Sequence, residues 1–183
     1  VLGGSSLIGI EFIKKSKNEG HQVFSTYNKS NLISNNQSTI KFCYPDDFKK
    51  IKEIIFTEKP DVIINFIGIT NLEYCENNKE EVYKLNVDFP KKISEISDEI
   101  NSKFVHISSD NVFSGKKGNY KEEDKTDPIN YYGYTKSISE KEVLRYQNNI
   151  IIRTAAVYDL KFKSNFLDFL FQKLLKNEKI QVY

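Results

Sequence analysis

Tyr132 and Lys136 stand one helical turn apart in Tyr132-Gly133-Tyr134-Thr135-Lys136, and a pair of hydroxyls, Ser108-Ser109, precedes them. Side chains at i and i+4 share one helix face. A cation there favours the phenolate, so a phenol with an ordinary pKa of about 10 is expected to exchange its proton nearer neutrality. A serine at the end of a preceding strand can hydrogen-bond the same substrate oxygen. These residue types suit reduction of a carbonyl, in which a side chain protonates oxygen while a cofactor delivers hydride to carbon. Tyr131 and Tyr134 have the wrong spacing to share the face of Lys136, which singles out Tyr132.

The elements that must position these residues alternate along the chain. Apolar runs at 21–27, 39–43, 61–67, 103–108 and 149–153 read as strands, and the run Asp-Val-Ile-Ile-Asn-Phe-Ile from Asp61 suits a strand buried on both faces. Between them lie helical patterns. The first passes through Ile8, Phe12 and Ile13 to Gly20 as the closing C′ residue. The next carries Phe48, Ile51, Ile54 and Ile55, with Asp46 or Asp47 as its cap, and stops before Pro60. A long helix is expected over 79–99 with a kink at Pro90. Helices over 131–146 and 165–176 follow, separated from the rest by an irregular stretch at 110–130. This alternation predicts an α/β fold, a Rossmann-type doubly wound sheet of mainly parallel strands. Such sheets bind ligands beyond the carboxyl ends of their strands. The glycine-rich start, residues 65–70 and Ser108-Ser109 all fall at those ends.

The start, Gly3-Gly4-Ser5-Ser6-Leu7-Ile8-Gly9, leads from a strand into a helix. Backbone N–H groups and a helix N-terminus can receive a pyrophosphate there, and glycines let the backbone approach it. Ser6 stands where a middle glycine is usual, bringing a Cβ that crowds the phosphates or a hydroxyl that bonds them. The end of the second strand, Thr26-Tyr27-Asn28-Lys29, offers no carboxylate for a ribose diol and one lysine for a 2′-phosphate. That tilts the expected cofactor to NADP(H) over NAD(H).

Bulk properties narrow the class. Charged residues form 28% of the 183 with a net charge of +2 and mixed signs, so no nucleic-acid partner is expected. The 2 cysteines, Cys43 and Cys75, and the 2 histidines, His21 and His106, have no metal-ligand spacing. No metal is expected, and free thiols point to a reducing, cytoplasmic compartment. No apolar run reaches about 18 residues, so no membrane span is expected. The chain holds 0 methionines, which suggests a fragment or a processed product.

Several segments together resemble the extended short-chain dehydrogenase/reductase superfamily, and within it the dTDP-4-dehydrorhamnose reductase (RmlD-like) group. They are Gly3–Gly9, the run from Pro60 to Asn65, Thr70-Asn71, Asn86-Val87, and Phe104-Val105-His106-Ile107-Ser108-Ser109-Asp110 with Val112-Phe113. Tyr120-Lys121-Glu122-Glu123-Asp124, Pro128-Ile129-Asn130, Tyr132–Lys136 with Glu140, and Ile152-Arg153-Thr154 complete the likeness. The resemblance implies that Tyr132 donates the proton, that Lys136 binds the nicotinamide ribose and lowers the tyrosine pKa, and that Ser109 is the hydroxyl residue, with Ser108 the neighbour one could take for it. Cofactor contacts are implied for Gly3, Ser5, Ser6, Leu7, Ile8, Gly9, Asn28, Lys29, Phe66, Ile67 and Gly68, besides Tyr132 and Lys136. Substrate contacts are implied for Thr70, Ser109, Asp110, Val112, Tyr132 and Asn165.

On this likeness residues 1–160 form an NAD(P)-binding domain, and 161–183 begin a substrate-binding region that family members continue further. The implied reaction reduces a 4-keto-6-deoxy sugar linked to a nucleoside diphosphate, the implied partner, in a chain open to homodimerisation. A 4,6-dehydratase would carry an Asp-Glu pair after the hydroxyl residue, whereas Asp110 is followed by neutral Asn111. An epimerase using the same Tyr and Lys, or a non-catalytic subunit that holds a dinucleotide and regulates a partner, are the alternatives.

Overall fold

In the computed structural model, which describes residues 1–28, 39–157 and 166–179, the strands form two parallel sheets. One pairs β1 (Ser25–Tyr27) with β2 (Thr39–Lys41), and the other runs in the order β3 (Val62–Asn65), β4 (Lys103–Ser109), β5 (Ile150–Thr154). The first residues of the chain lie between the sheets. Leu2 N–H donates to Ile64 O and Leu2 O accepts from Phe66 N, while Thr26 N–H donates to Val1 O. A two-residue bridge thus joins both sheets and places the glycine turn at their centre.

Helices α1 (Leu7–Asn18), α2 (Phe48–Glu58), α3 (Leu72–Asn77), α4 (Lys79–Tyr83), α5 (Phe89–Glu99), α6 (Tyr131–Val143) and α7 (Phe166–Leu175) complete the chain. Leu2, Ile51, Ile55, Ile63, Phe89, Ile93, Phe104 and Val143 share one core cluster between strands and flanking helices, and Cys75, Val82 and Tyr132 form a second. Lys15 and Lys17 lie in the last turn of α1, where cations complement the helix dipole, and Gly20 follows at φ 86°.

Four local expectations are corrected. Residues 21–24 stay outside the ladder, and only Ser25–Tyr27 pair, because β1 is opposed over just that length by β2. Asp47 is the N-cap residue of α2, but its carboxylate accepts from Cys43 N–H at 2.8 Å and makes no cap bond to the helix. The irregularity of the long helix sits before Pro90, as a π-helical turn at Lys84–Asp88. Pro90 follows that turn directly at the start of α5, inside the continuous helix, where it lacks the N–H that a regular helix would direct to the preceding turn. The helix at 131 ends at Val143 and not at 146. No described helix is long and apolar enough to cross a membrane.

Candidate active site

The glycine turn is held tightly enough to dictate its residue types. Gly3 has φ 78°, and its N–H donates to Thr26 Oγ1 at 3.0 Å while Gly4 N–H donates to Thr26 O at 2.7 Å. A Cβ on Gly9 would lie 2.6 Å from Gly3 O and 2.9 Å from Gly4 Cα, closer than side-chain carbons approach backbone. Ser6 Oγ accepts from Gly9 N–H at 3.1 Å as the N-cap of α1. Its hydroxyl therefore serves the helix, which neither expectation for Ser6 anticipated. Ser5, Leu7 and Ile8 are half-buried around the same terminus, and helix geometry leaves the N–H groups of Leu7 and Ile8 without intrahelical acceptors. The turn fits a phosphate-bearing dinucleotide. Asn28 is exposed just beyond β1, while Lys29 and Asn165 lie outside the described residues.

Beyond β3 the chain passes close to Gly3. Ile67 N–H donates to Asn65 Oδ1 at 3.0 Å, and Ile67 Cγ1 would stand 3.0 Å from a Cβ at Gly3. The Phe66 ring packs against Phe12 with centroids 5.8 Å apart. Gly68 and Thr70 are exposed on this strand end. Between them Ile69 is gripped by buried Asn86 of the π turn, whose Oδ1 accepts from Ile69 N at 2.8 Å and whose Nδ2 donates to Ile69 O at 2.9 Å. Asn86 Nδ2 also lies 3.2 Å from Thr135 Oγ1, on α6 between Tyr132 and Lys136. One carboxamide therefore ties the loop beside the glycine turn to the helix of the tyrosine and lysine.

At the end of β4 the two serines part. Ser108 Oγ donates to Glu140 Oε1 at 2.5 Å, and Arg153 clasps the same carboxylate through Nε at 3.0 Å and Nη2 at 2.8 Å. Ser109 Oγ instead bonds Asp110 Oδ1 at 3.0 Å and accepts from Asn111 N at 3.2 Å, on the side of Tyr132. The Tyr132 pKa is raised, first by burial, against which the Ser109 hydroxyl acts in the lowering direction. The expectation that Lys136 draws this phenol toward neutrality is corrected. Lys136 Nζ donates to Ile107 O at 2.5 Å and lies 3.2 Å from His106 Nε2, so its head is turned into β4. Burial also lowers the lysine's own pKa to about 8, opposed by Glu140.

Asp110, Asn111 and Val112 form a short 3-10 turn. Asp110 is exposed, whereas the Val112 side chain is fully buried and its carbonyl accepts from Asp127 N at 3.0 Å. A Cβ on Gly133 would collide with the Asn111 carbonyl, so glycine is required where α6 starts against this turn. Alongside lies a cavity of about 480 Å³ lined by Asp110, Asn111, Phe113, Tyr120, Ile129 and Arg153 among others. Phe113 and Tyr120 stack at 4.2 Å, and the Arg153 guanidinium sits 4.9 Å from the Phe113 ring. No cluster of His, Cys, Asp or Glu suited to a metal occurs among the described residues.

Sequence reasoning assigned no task to Asn86, Gly133, His106 or the Glu140–Arg153 pair. Their residue types alone carried no signal, although all five lie within the segments that support the family likeness.

The chain is 28% identical over 160 residues to the spore coat polysaccharide biosynthesis protein SpsK of Bacillus subtilis, covering 86% of this chain and 52% of that protein. It is 34% identical over 129 residues to a dTDP-4-dehydrorhamnose reductase of Aggregatibacter actinomycetemcomitans, covering 69% and 43%. It is also 33% identical over 115 residues to methionine adenosyltransferase 2 subunit beta of Bos taurus, covering 61% and 34%. Among solved structures, a hypothetical dTDP-4-dehydrorhamnose reductase from Sulfolobus tokodaii superposes with TM-score 0.86 at 35% identity, over 98% of this chain and 62% of that one. The chain spans about half the length of the curated relatives it matches, with 52% of SpsK covered. The RmlD substrate binding domain family matches residues 1–183, the whole of this sequence, and the chain belongs to that family.

Proposed function

We propose that this chain carries the dinucleotide site and catalytic residues of an NAD(P)H-dependent reductase acting on a 4-keto-6-deoxy sugar linked to a nucleoside diphosphate. The observation that carries this reading is the meeting of Ser109, at the end of β4, with Tyr132, with Lys136 one turn along α6, on a helix that Asn86 ties to the loop next to the glycine turn. Gly3, Ser5, Ser6, Leu7, Ile8 and Gly9 would hold the pyrophosphate, Phe66, Ile67 and Gly68 would flank the nicotinamide half, and Lys136 would hold its ribose. Residues 1–160 would form this unit and 161–183 would begin the sugar-binding region. The bound dihydronicotinamide supplies hydride to the carbonyl carbon. The rest falls to this chain. Ser109 donates to the carbonyl oxygen and fixes its position, and Tyr132 gives that oxygen its proton. A phenol raised by burial is fully protonated at neutral pH, the form a donor needs. NADP(H) is the favoured cofactor, because the segment after β1 offers no carboxylate up to Lys29.

The test follows NADPH and NADH oxidation with dTDP-4-keto-6-deoxyglucose, in a chain extended to the length of its relatives. Turnover is expected to fall about 10²- to 10⁴-fold in Tyr132→Phe. Dinucleotide binding without oxidation would overturn the reductase reading. It would favour a regulatory, dinucleotide-holding subunit, a second reading supported by the likeness to methionine adenosyltransferase 2 subunit beta and by Lys136 facing Ile107 O instead of the phenol.

A further inference from the structure

His106 lies on β4 beneath the candidate active site, with relative exposure of 0%, and the reaction described above gives it no task. Its surroundings determine which ring nitrogen carries the proton. Ile67 N–H needs an acceptor and takes Asn65 Oδ1 at 3.0 Å, which orients the carboxamide. Asn65 Nδ2 must then donate to His106 Nδ1 at 3.1 Å, so Nδ1 is bare. The ring is neutral, since burial and then the charge of Lys136 hold its pKa well below 6.5. The single ring proton therefore sits on Nε2.

Two groups face that proton. Ser139 Oγ stands 3.2 Å from Nε2 and gives its own hydrogen to Lys136 O at 2.9 Å, so it can accept. Lys136 Nζ also stands 3.2 Å from Nε2. An ammonium can only donate, so a ring N–H aimed at it is repulsive, whereas a neutral amine would accept. Ile107 O draws the opposite way, as an acceptor at 2.5 Å. Among the described residues, the other ionisable group acting on this amine is Glu140 on α6. The Glu140 carboxylate is held by Arg153 from β5 and by Ser108 from β4.

We infer that His106, oriented by Asn65 with its proton on Nε2, is a positioning residue that biases the buried Lys136 toward its neutral amine, in the same direction as burial itself. The inference deepens the reductase reading, because it concerns the cation assigned to the ribose. Its physics holds whether or not the chain turns over. The Asn65–His106 bond crosses from β3 to β4, so the loop that would flank the cofactor and the lysine that would hold it share one hydrogen-bonded chain.

Two spectroscopic readouts on the chain alone test this. With only 2 histidines, long-range ¹H–¹⁵N correlation of histidine-labelled protein resolves His106 once His21 is assigned by His21→Gln. The expected result is a neutral Nε2–H ring, unchanged from about pH 6 to about pH 9. In protein labelled with ¹³C at lysine Cε, the resonance lost in Lys136→Arg is expected to titrate near 8. His106→Gln can turn a carboxamide oxygen toward the ammonium and should raise that midpoint by about one pH unit or more, roughly tenfold in protonation. Asn65→Asp retains the imidazole and offers Nδ1 an acceptor. It should raise the midpoint while moving the ring proton to Nδ1, and it remains informative if His106→Gln does not fold.

An Nδ1–H ring in the parent, or a lysine midpoint unmoved in every folded variant, would overturn the inference. So would a midpoint that rises in Asn65→Asp with the tautomer unchanged, because added charge alone would then explain it. None of these readouts needs turnover, so failure of the reductase reading is seen separately, in the oxidation assay.

Discussion

Ser108 Oγ lies 2.5 Å from Glu140 Oε1, and this contact assigns the two adjacent serines to different tasks. Glu140 is 4% exposed and receives donors from Ser108 and Arg153. Ser108→Ala withdraws one donor from a buried carboxylate and should cost about 1–3 kcal/mol in urea unfolding. Ser109→Ala removes the hydroxyl that bonds Asp110 and Asn111 in the 3-10 turn and acts on Tyr132. It should change stability by less than about 1 kcal/mol, while lowering reductase turnover about 10²-fold in the extended chain.

Stability should rise with pH in two windows. His106 is held neutral in the folded chain, its pKa lowered first by burial, so the unfolded chain alone binds that proton. Stability is therefore expected to fall as pH drops below about 6.5. Lys136 moves from 10.5 to about 8, again chiefly through burial. Between those values the unfolded chain binds more protons, so this contribution rises with pH, by an amount on the order of 3 kcal/mol in all. Urea midpoints across pH 5 to 10 check both limbs. His106→Gln should flatten the lower one and Lys136→Met the upper one.

Asn86→Leu should weaken dinucleotide binding without removing any group proposed to touch the dinucleotide. The substitution leaves the Ile69 N–H without its partner, at about 1–3 kcal/mol, and the Ile69 carbonyl with only the Cys75 thiol at 3.6 Å. It also releases the Gly68–Thr70 loop from Thr135 on α6. Fluorescence titration with NADPH, beside a denaturation curve, separates loss of affinity from loss of fold. An unchanged affinity in a folded variant would remove the loop-clamping role.

Gly133→Ala should be poorly tolerated although alanine is the better helix former. The added Cβ meets the Asn111 carbonyl and stands 3.1 Å from Pro128 Cβ. Overpacking of this kind costs about 1–3 kcal/mol. Thermal unfolding gives the cost. Tyr134→Ala, on the exposed face of the same turn, should change stability far less.

Much of this was legible in the chain itself. Strand–helix alternation, the glycine turn at the first strand–helix junction and the Tyr132–Lys136 spacing follow from periodicities of a few residues, and the structure forms them in place. Gly20 at φ 86° and Ser109 at a strand end were readable for the same reason. Element ends were less so. The extent of β1 depends on its pairing partner, and the π turn before Pro90 lets Asn86 reach Ile69.

The sequence by itself determined which residues could do chemistry, because helical spacing and strand ends are local properties. Tertiary structure decided what each of them contacts. Strand alternation sends Ser108 and Ser109 to opposite faces, but only Glu140 and Arg153, far along the chain, show which face is which. A lysine one turn from a tyrosine implies a lowered phenol pKa only if the ammonium faces the phenol. Here Ile107 O turns the ammonium into β4 and burial raises the phenol instead. Desolvation and long-range partners control protonation, and neither is written in local spacing.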